Sequence, residues 1–105
     1  MFNAGFNLEK GEMLITLEGS LDATASRDFD IMIEDEISGK SNEIKKVTID
    51  AEKLDYISSA GLRSFLQIET YLEDNLDDHI TVINAIEVVK EIFEVTGFSE
   101  VLNVE

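Results

Sequence analysis

Two short apolar-rich runs open the chain. Residues 2–8 and 13–18 are separated by Glu9-Lys10-Gly11-Glu12, a polar tetrapeptide with a glycine, which predicts a hairpin. In the second run Met13, Ile15 and Leu17 alternate and share one face of a strand. Gly19-Ser20-Leu21-Asp22 then reads as a turn. Beyond it the apolar spacing changes to a helical one. Ala25, Phe29, Met32, Ile33 and Ile37 predict a helix over 24–37, with Asp22 or Thr24 as its N-cap. Glu34, Asp35 and Glu36 cluster near its end. Ile31 lies off the apolar face and is read as an ordinary exposed residue.

The same alternation of periods continues. Residues 39–42 are a polar loop, and 44–50 form a third strand around β-branched Val47, Thr48 and Ile49. Leu62, Phe65, Leu66, Glu69 and Leu72 follow helical spacing, and this second helix is expected to end between 73 and 78. Residues 79–83 predict a fourth strand. Ala85, Val88, Val89, Ile92 and Phe93 form a third helical stripe, stopped by Gly97 in the C′ position. Residues 98–104 supply a short last strand. The order β-β-α-β-α-β-α-β predicts an α/β fold with parallel pairs and right-handed crossovers.

Composition limits what such a fold can do. The 105 residues suit a single domain spanning 1–105, and 44% hydrophobic content is enough for one core. Twenty-three acidic residues against eight basic ones leave a net charge of −15. Phosphate backbones need a basic face, and the densest basic cluster is only Lys45-Lys46, so neither nucleic acid nor an anionic membrane is an expected partner. A protein with a basic docking face fits better, although acidity alone also keeps a small domain soluble. Without cysteine there is no disulfide or thiolate metal site, which is compatible with a reducing cytoplasm. The first twelve residues lack a basic region followed by an apolar one, and no run reaches the ~20 apolar residues of a membrane helix. The expected location is cytoplasmic.

Catalytic constellations are sparse. Ser59 and the lone His79 could suggest a hydrolase, but neither serine sits in a G-x-S-x-G elbow, and a helix cap with a solvated histidine accounts for both. Asp74, Asp77 and Asp78 lack the glycine and terminal glutamate of a calcium loop. The six glycines form no phosphate loop or dinucleotide fingerprint. The chain is read as non-catalytic, with no cofactor and no metal.

One junction stands out from this background: Leu54-Asp55-Tyr56-Ile57-Ser58-Ser59-Ala60-Gly61-Leu62-Arg63. Ser58 or Ser59 is the natural N-cap of the second helix. Unpaired amides and about half a positive charge at a helix start also suit an added phosphate. A cap with no further role is the plainer reading of such a pair.

Ile57-Ser58-Ser59-Ala60-Gly61-Leu62 resembles the signature of STAS domains, the family of bacterial anti-sigma factor antagonists. Leu17-Glu18-Gly19-Ser20-Leu21-Asp22 followed by Thr24-Ala25 is similar to the family's strand ending in Gly-x-Leu-Asp. The stretch from Val88 to Phe98 looks like its third helix and following turn. The resemblance implies a STAS-like fold, a mixed sheet of about five strands covered by three or four helices. It implies that Ser59, two positions before the glycine, is phosphorylated by an anti-sigma factor with serine kinase activity, with Ser58 the second candidate. The unphosphorylated form would bind that kinase and free the sigma factor, and a PP2C-type phosphatase would restore it. The implied partner-binding residues are Asp22, Ser58, Ser59, Gly61 and Arg63. The chain departs from the family in having Ser58 where Asp is common, Ala60 where Ser or Thr is common, and Arg63 where Gly is common. Arg63, one turn after Ser59, either pairs with a phosphate there or faces solvent as an ordinary helix residue. The alternative within the family is a non-switching scaffold or an accessory subunit of a signalling complex or transporter.

Overall fold

The computed structural model describes residues 1–73 and 75–105. Strand β1 (Phe2–Glu9) and strand β2 (Glu12–Leu21) form the predicted hairpin, with Glu9 paired to Glu12. The connecting loop is only Lys10-Gly11, both at positive φ (51° and 84°). A two-residue loop needs that conformation at both positions to match the strands' twist, and glycine adopts it at little cost.

Strand β3 (Lys46–Ile57), strand β4 (Thr81–Ile83) and strand β5 (Asn103–Val104) add in sequence, each parallel to its predecessor, giving the order β1-β2-β3-β4-β5. The connections are helices α1 (Ala23–Ile37), α2 (Ser59–Leu72) and α3 (Glu87–Val95). Inward and outward positions alternate along β1, through Leu17 of β2 and through Ala51 of β3, and every buried strand residue joins one core, so the helices cover a single face of the sheet. Phe29 of α1, Phe65 of α2 and Phe93 of α3 run through that core, their ring centroids 6.4 and 6.2 Å apart, with Phe2 against Phe29 at 5.6 Å.

The largest departure from the periodicity is in the strands that carry the site. The expected turn at 19–22 is strand through Leu21, and β3 runs seven residues beyond 50. Between Thr16 and Glu18, and again between Gly19 and Ser20, β3 contributes one more residue than β2. Each such bulge moves the buried positions of β3 from a spacing of two (Val47, Ile49, Ala51) to one of three (Leu54, Ile57). A spacing of three does not read as strand. Gly19, at φ +98°, lies against the Met1 carbonyl.

The other differences are at ends. Residues 39–42 lie in a 3-10 turn, Ser38–Glu43, and Phe98–Glu100 is another, so the last strand is two residues long. β4 starts at Thr81, because the Ile80 amide donates to Glu69 Oε2 rather than to the ladder. Helix α2 ends at Leu72, and Asp74 lies outside the described residues. Among the described residues there are three α-helices and no fourth. Ile31 is exposed as expected, whereas Val88 of the third stripe is half-exposed. Gly97 takes the left-handed conformation expected of a C′ residue, φ +82°.

Candidate functional site

The site grows from the last rung of the parallel ladder. Leu21 of β2 pairs with Ile57 of β3, so the next residues, Asp22 and Ser58, leave the sheet side by side. Both are N-caps. Asp22 Oδ1 accepts the Ala25 amide at 2.8 Å, and Ser58 Oγ accepts the Gly61 amide at 3.2 Å. Each side chain satisfies a helix-start donor that has no partner within its own helix. Ser58 also ties the two loops together, since its amide and its hydroxyl both donate to the Leu21 carbonyl, at 2.9 and 3.0 Å.

The choice between the two serines is therefore structural. Ser58 is the cap, half-buried and engaged at both ends of its hydroxyl. Ser59 is the first residue of α2 and is exposed. Gly61, expected among the partner-facing residues, is buried instead. A Cβ placed there would lie 2.8 Å from Leu21 Cγ and 2.9 Å from Ile57 Cγ1. Its contribution is to let the first turn of α2 lie close to the two strands. Asp22 and Arg63 are exposed.

Pattern reading missed the residues that join α1 to α2. Ser64 is buried and its hydroxyl donates to Asp30 Oδ1 at 2.6 Å, linking the two helices. Ser26, also buried, donates to the Asp22 carbonyl at 2.8 Å and closes the first turn of α1. Between the helices runs a groove whose sides carry Arg27 and Arg63 and whose small residues include Ala23 and Ala60. The available signal was that these are the chain's two arginines.

Other candidate chemistry is elsewhere. Ser59 follows the carboxyl end of β3, while His79 precedes the amino end of the parallel β4, whose Thr81 pairs with Thr48. Thr48 and Ile57 are nine strand positions apart, on the order of 30 Å. No serine–histidine pair forms. His79 is exposed with Nδ1 3.4 Å from Glu69 Oε2, and Asp78 accepts the His79 amide and the Asn103 side-chain amide. Among the described residues no group of acidic or histidine side chains could hold a metal.

Comparison with known families matches residues 7–105 to the STAS domain. The chain belongs to the STAS domain family. Members of the family are generally non-catalytic. The fold is that of the STAS domain SpoIIAA, an anti-sigma factor antagonist. Its unphosphorylated structure superposes with a TM-score of 0.76 at 18% identity, covering 98% of this chain and 88% of SpoIIAA. The phosphorylated Bacillus SpoIIAA gives 0.67 at 17% identity, with 98% and 91% covered. TM1081 of Thermotoga maritima gives 0.81 at 13% identity, with 96% and 84% covered. No curated protein matches the chain in sequence. Among the described residues no helix is long and apolar enough to cross a membrane.

The Asp22 cap gives a first expected outcome. Asp22→Ala should destabilise the domain by about 1 kcal/mol, by loss of the bond to the Ala25 amide. Asp22→Asn keeps an acceptor oxygen and should cost little. Urea unfolding of the two variants separates these outcomes, and equal loss in both would mean that the charge rather than the cap matters.

Proposed function

We propose that this STAS domain is a phosphorylation-controlled anti-sigma factor antagonist acting in the cytoplasm. Unphosphorylated, it binds an anti-sigma factor that is also a serine kinase and frees the sigma factor. The kinase transfers the γ-phosphoryl group of a nucleoside triphosphate to Ser59 Oγ, with the nucleoside diphosphate leaving and the hydroxyl proton passing to a base of the kinase. The added dianion ends binding, and a PP2C-type phosphatase removes it.

The observation that carries this reading is the division of roles between the two serines. Ser58 holds the helix start, which leaves Ser59 exposed beside it. A phosphate can be added there without removing a cap, and the helix start favours negative charge. Asp22 belongs to the same end of the sheet and extends the docking surface. The neighbour SpoIIAA is known in both unphosphorylated and phosphorylated forms, which supports a switch on this fold.

Incubation with the cognate kinase should add one phosphate, and fragment mass spectra should place it on Ser59. A phosphate on Ser58, Thr24 or Thr48 would sink the assignment. No phosphate on the chain at all would favour the non-switching scaffold.

A further inference from the structure

We propose that Arg63 and Arg27 form a clamp that holds the phosphate of phosphorylated Ser59 against the groove between α1 and α2. The proposal rests on Ser59 as the modified residue and adds what becomes of the phosphate once it is there.

The parallel register puts the two arginines at one level. Helix α1 starts one residue after the Asp22 cap and α2 one residue after the Ser58 cap, and the strand residues preceding those caps, Leu21 and Ile57, are paired. Arg27 is the fifth residue of α1 and Arg63 the fifth of α2. They stand on opposite sides of one groove, together with Ala23 and Ala60. The Ser64–Asp30 hydrogen bond holds the helices together farther along. Ser59 and Arg63 are four residues apart in a continuous helix, hence on neighbouring positions of its surface. Side chains on a helix lean toward its N-terminus, so Arg63 leans toward Ser59 and Arg27 toward the same end of the groove.

Charge makes the placement informative. The chain has 23 acidic residues and two arginines, yet the ion pairs among the described residues use Lys40, Lys46 and His79. Both arginines are exposed, and both border the groove, whose α2 wall begins at Ala60, the residue after Ser59. Guanidinium groups bind phosphate through two parallel N–H bonds, which a lysine does not reproduce. The groove also contains opposing charge, because Asp30 lines it and Asp22 caps α1 beside it. Asp30 is partly occupied by the Ser64 hydroxyl. Two guanidinium groups outweigh these carboxylates at the short range of a direct contact. Phosphorylation then does two things together: it places a dianion at the docking surface and ties up the arginines there.

The test uses the full chain with phosphoserine genetically encoded at position 59, so that no kinase is needed. Phosphorus NMR titration reads the second phosphate pKa, which is near 6 without a partner. Opposite charge in contact favours the dianion and lowers that value. The wild-type background should titrate at least about half a unit below the Arg27→Gln/Arg63→Gln double variant, with Arg63→Gln accounting for most of the change. Lys40→Gln, which removes a distant positive charge, should match wild type. Equal titration of wild type and the double variant overturns the clamp, and so does a Lys40→Gln shift as large as that of Arg63→Gln. Kinase labelling at another residue would defeat the proposed function and leave this result unaffected.

Discussion

Gly61→Val should destabilise the domain by about 3 kcal/mol, and Gly61→Ala by about 1 kcal/mol, although both residues are better helix formers than glycine. The sign comes from setting two effects against each other. Within α2, alanine gains up to about 1 kcal/mol over glycine in helix propensity, and valine rather less. Against this, the first added carbon lies 2.8 Å from Leu21 Cγ and 2.9 Å from Ile57 Cγ1 and Leu21 Cδ2. Leu21 and Ile57 are fully buried, and the contacts to Cγ and Cγ1 are near the base of each side chain, so relief requires α2 to move. Inserting carbons into a packed core costs about 1–3 kcal/mol, occasionally more. Valine adds two further carbons in the same space. For a domain of this size 1 kcal/mol corresponds to about 4–8 °C in Tm, so both variants are measurable by calorimetry or urea unfolding. A Gly61→Ala protein more stable than wild type would mean that the α2 contact is looser than the structure has it. The same displacement would carry Ser59 with it, so kinase labelling should fall in Gly61→Val even below its melting temperature.

The glycine shows what a motif reveals and what it leaves out. Its position was legible as part of the signature, but its partners were not, because Leu21 lies forty positions earlier in the chain. The hairpin and the three amphipathic helices were legible from local periodicity, since each buries one regular stripe. The carboxyl half of β3 was not, because two bulges give it a spacing of three where pattern reading expects two. Both errors fall where β2 and β3 deliver their last residues to the site. The ambiguity between Ser58 and Ser59 has the same origin. Either hydroxyl can cap a helix locally, and the choice is made by the Leu21 carbonyl, which is brought to Ser58 by strand pairing. Arg27 was invisible for a related reason. It is separated from Arg63 by 36 positions, and only the parallel register places the two at one level of the groove.

Ser59→Asp should weaken binding to the cognate anti-sigma kinase at least about tenfold, a change of about 1.4 kcal/mol, while Ser59→Ala should bind within about twofold of wild type. Ser59 is exposed and is not the cap, so neither substitution should disturb the helix start that Ser58 holds. Aspartate adds a negative charge to a chain already at −15, beside a loop that ends in Asp22. The strands that deliver these two residues are about 4.8 Å apart, well inside the ~8 Å Debye length at physiological salt. A partner surface arranged for one carboxylate there meets two, and like charges brought together at an interface are costly. Alanine adds no charge and removes the acceptor, so Ser59→Ala should bind and resist switching by the kinase. Titration calorimetry of the wild type and both variants against the kinase decides the matter, with melting curves to show that each remains folded. Phosphorylated wild type should bind more weakly than Ser59→Asp, since a phosphate carries nearly twice the charge of a carboxylate. Equal affinity for wild type and Ser59→Asp would reject charge at this position as the switch and leave a constitutive scaffold as the better account of the domain.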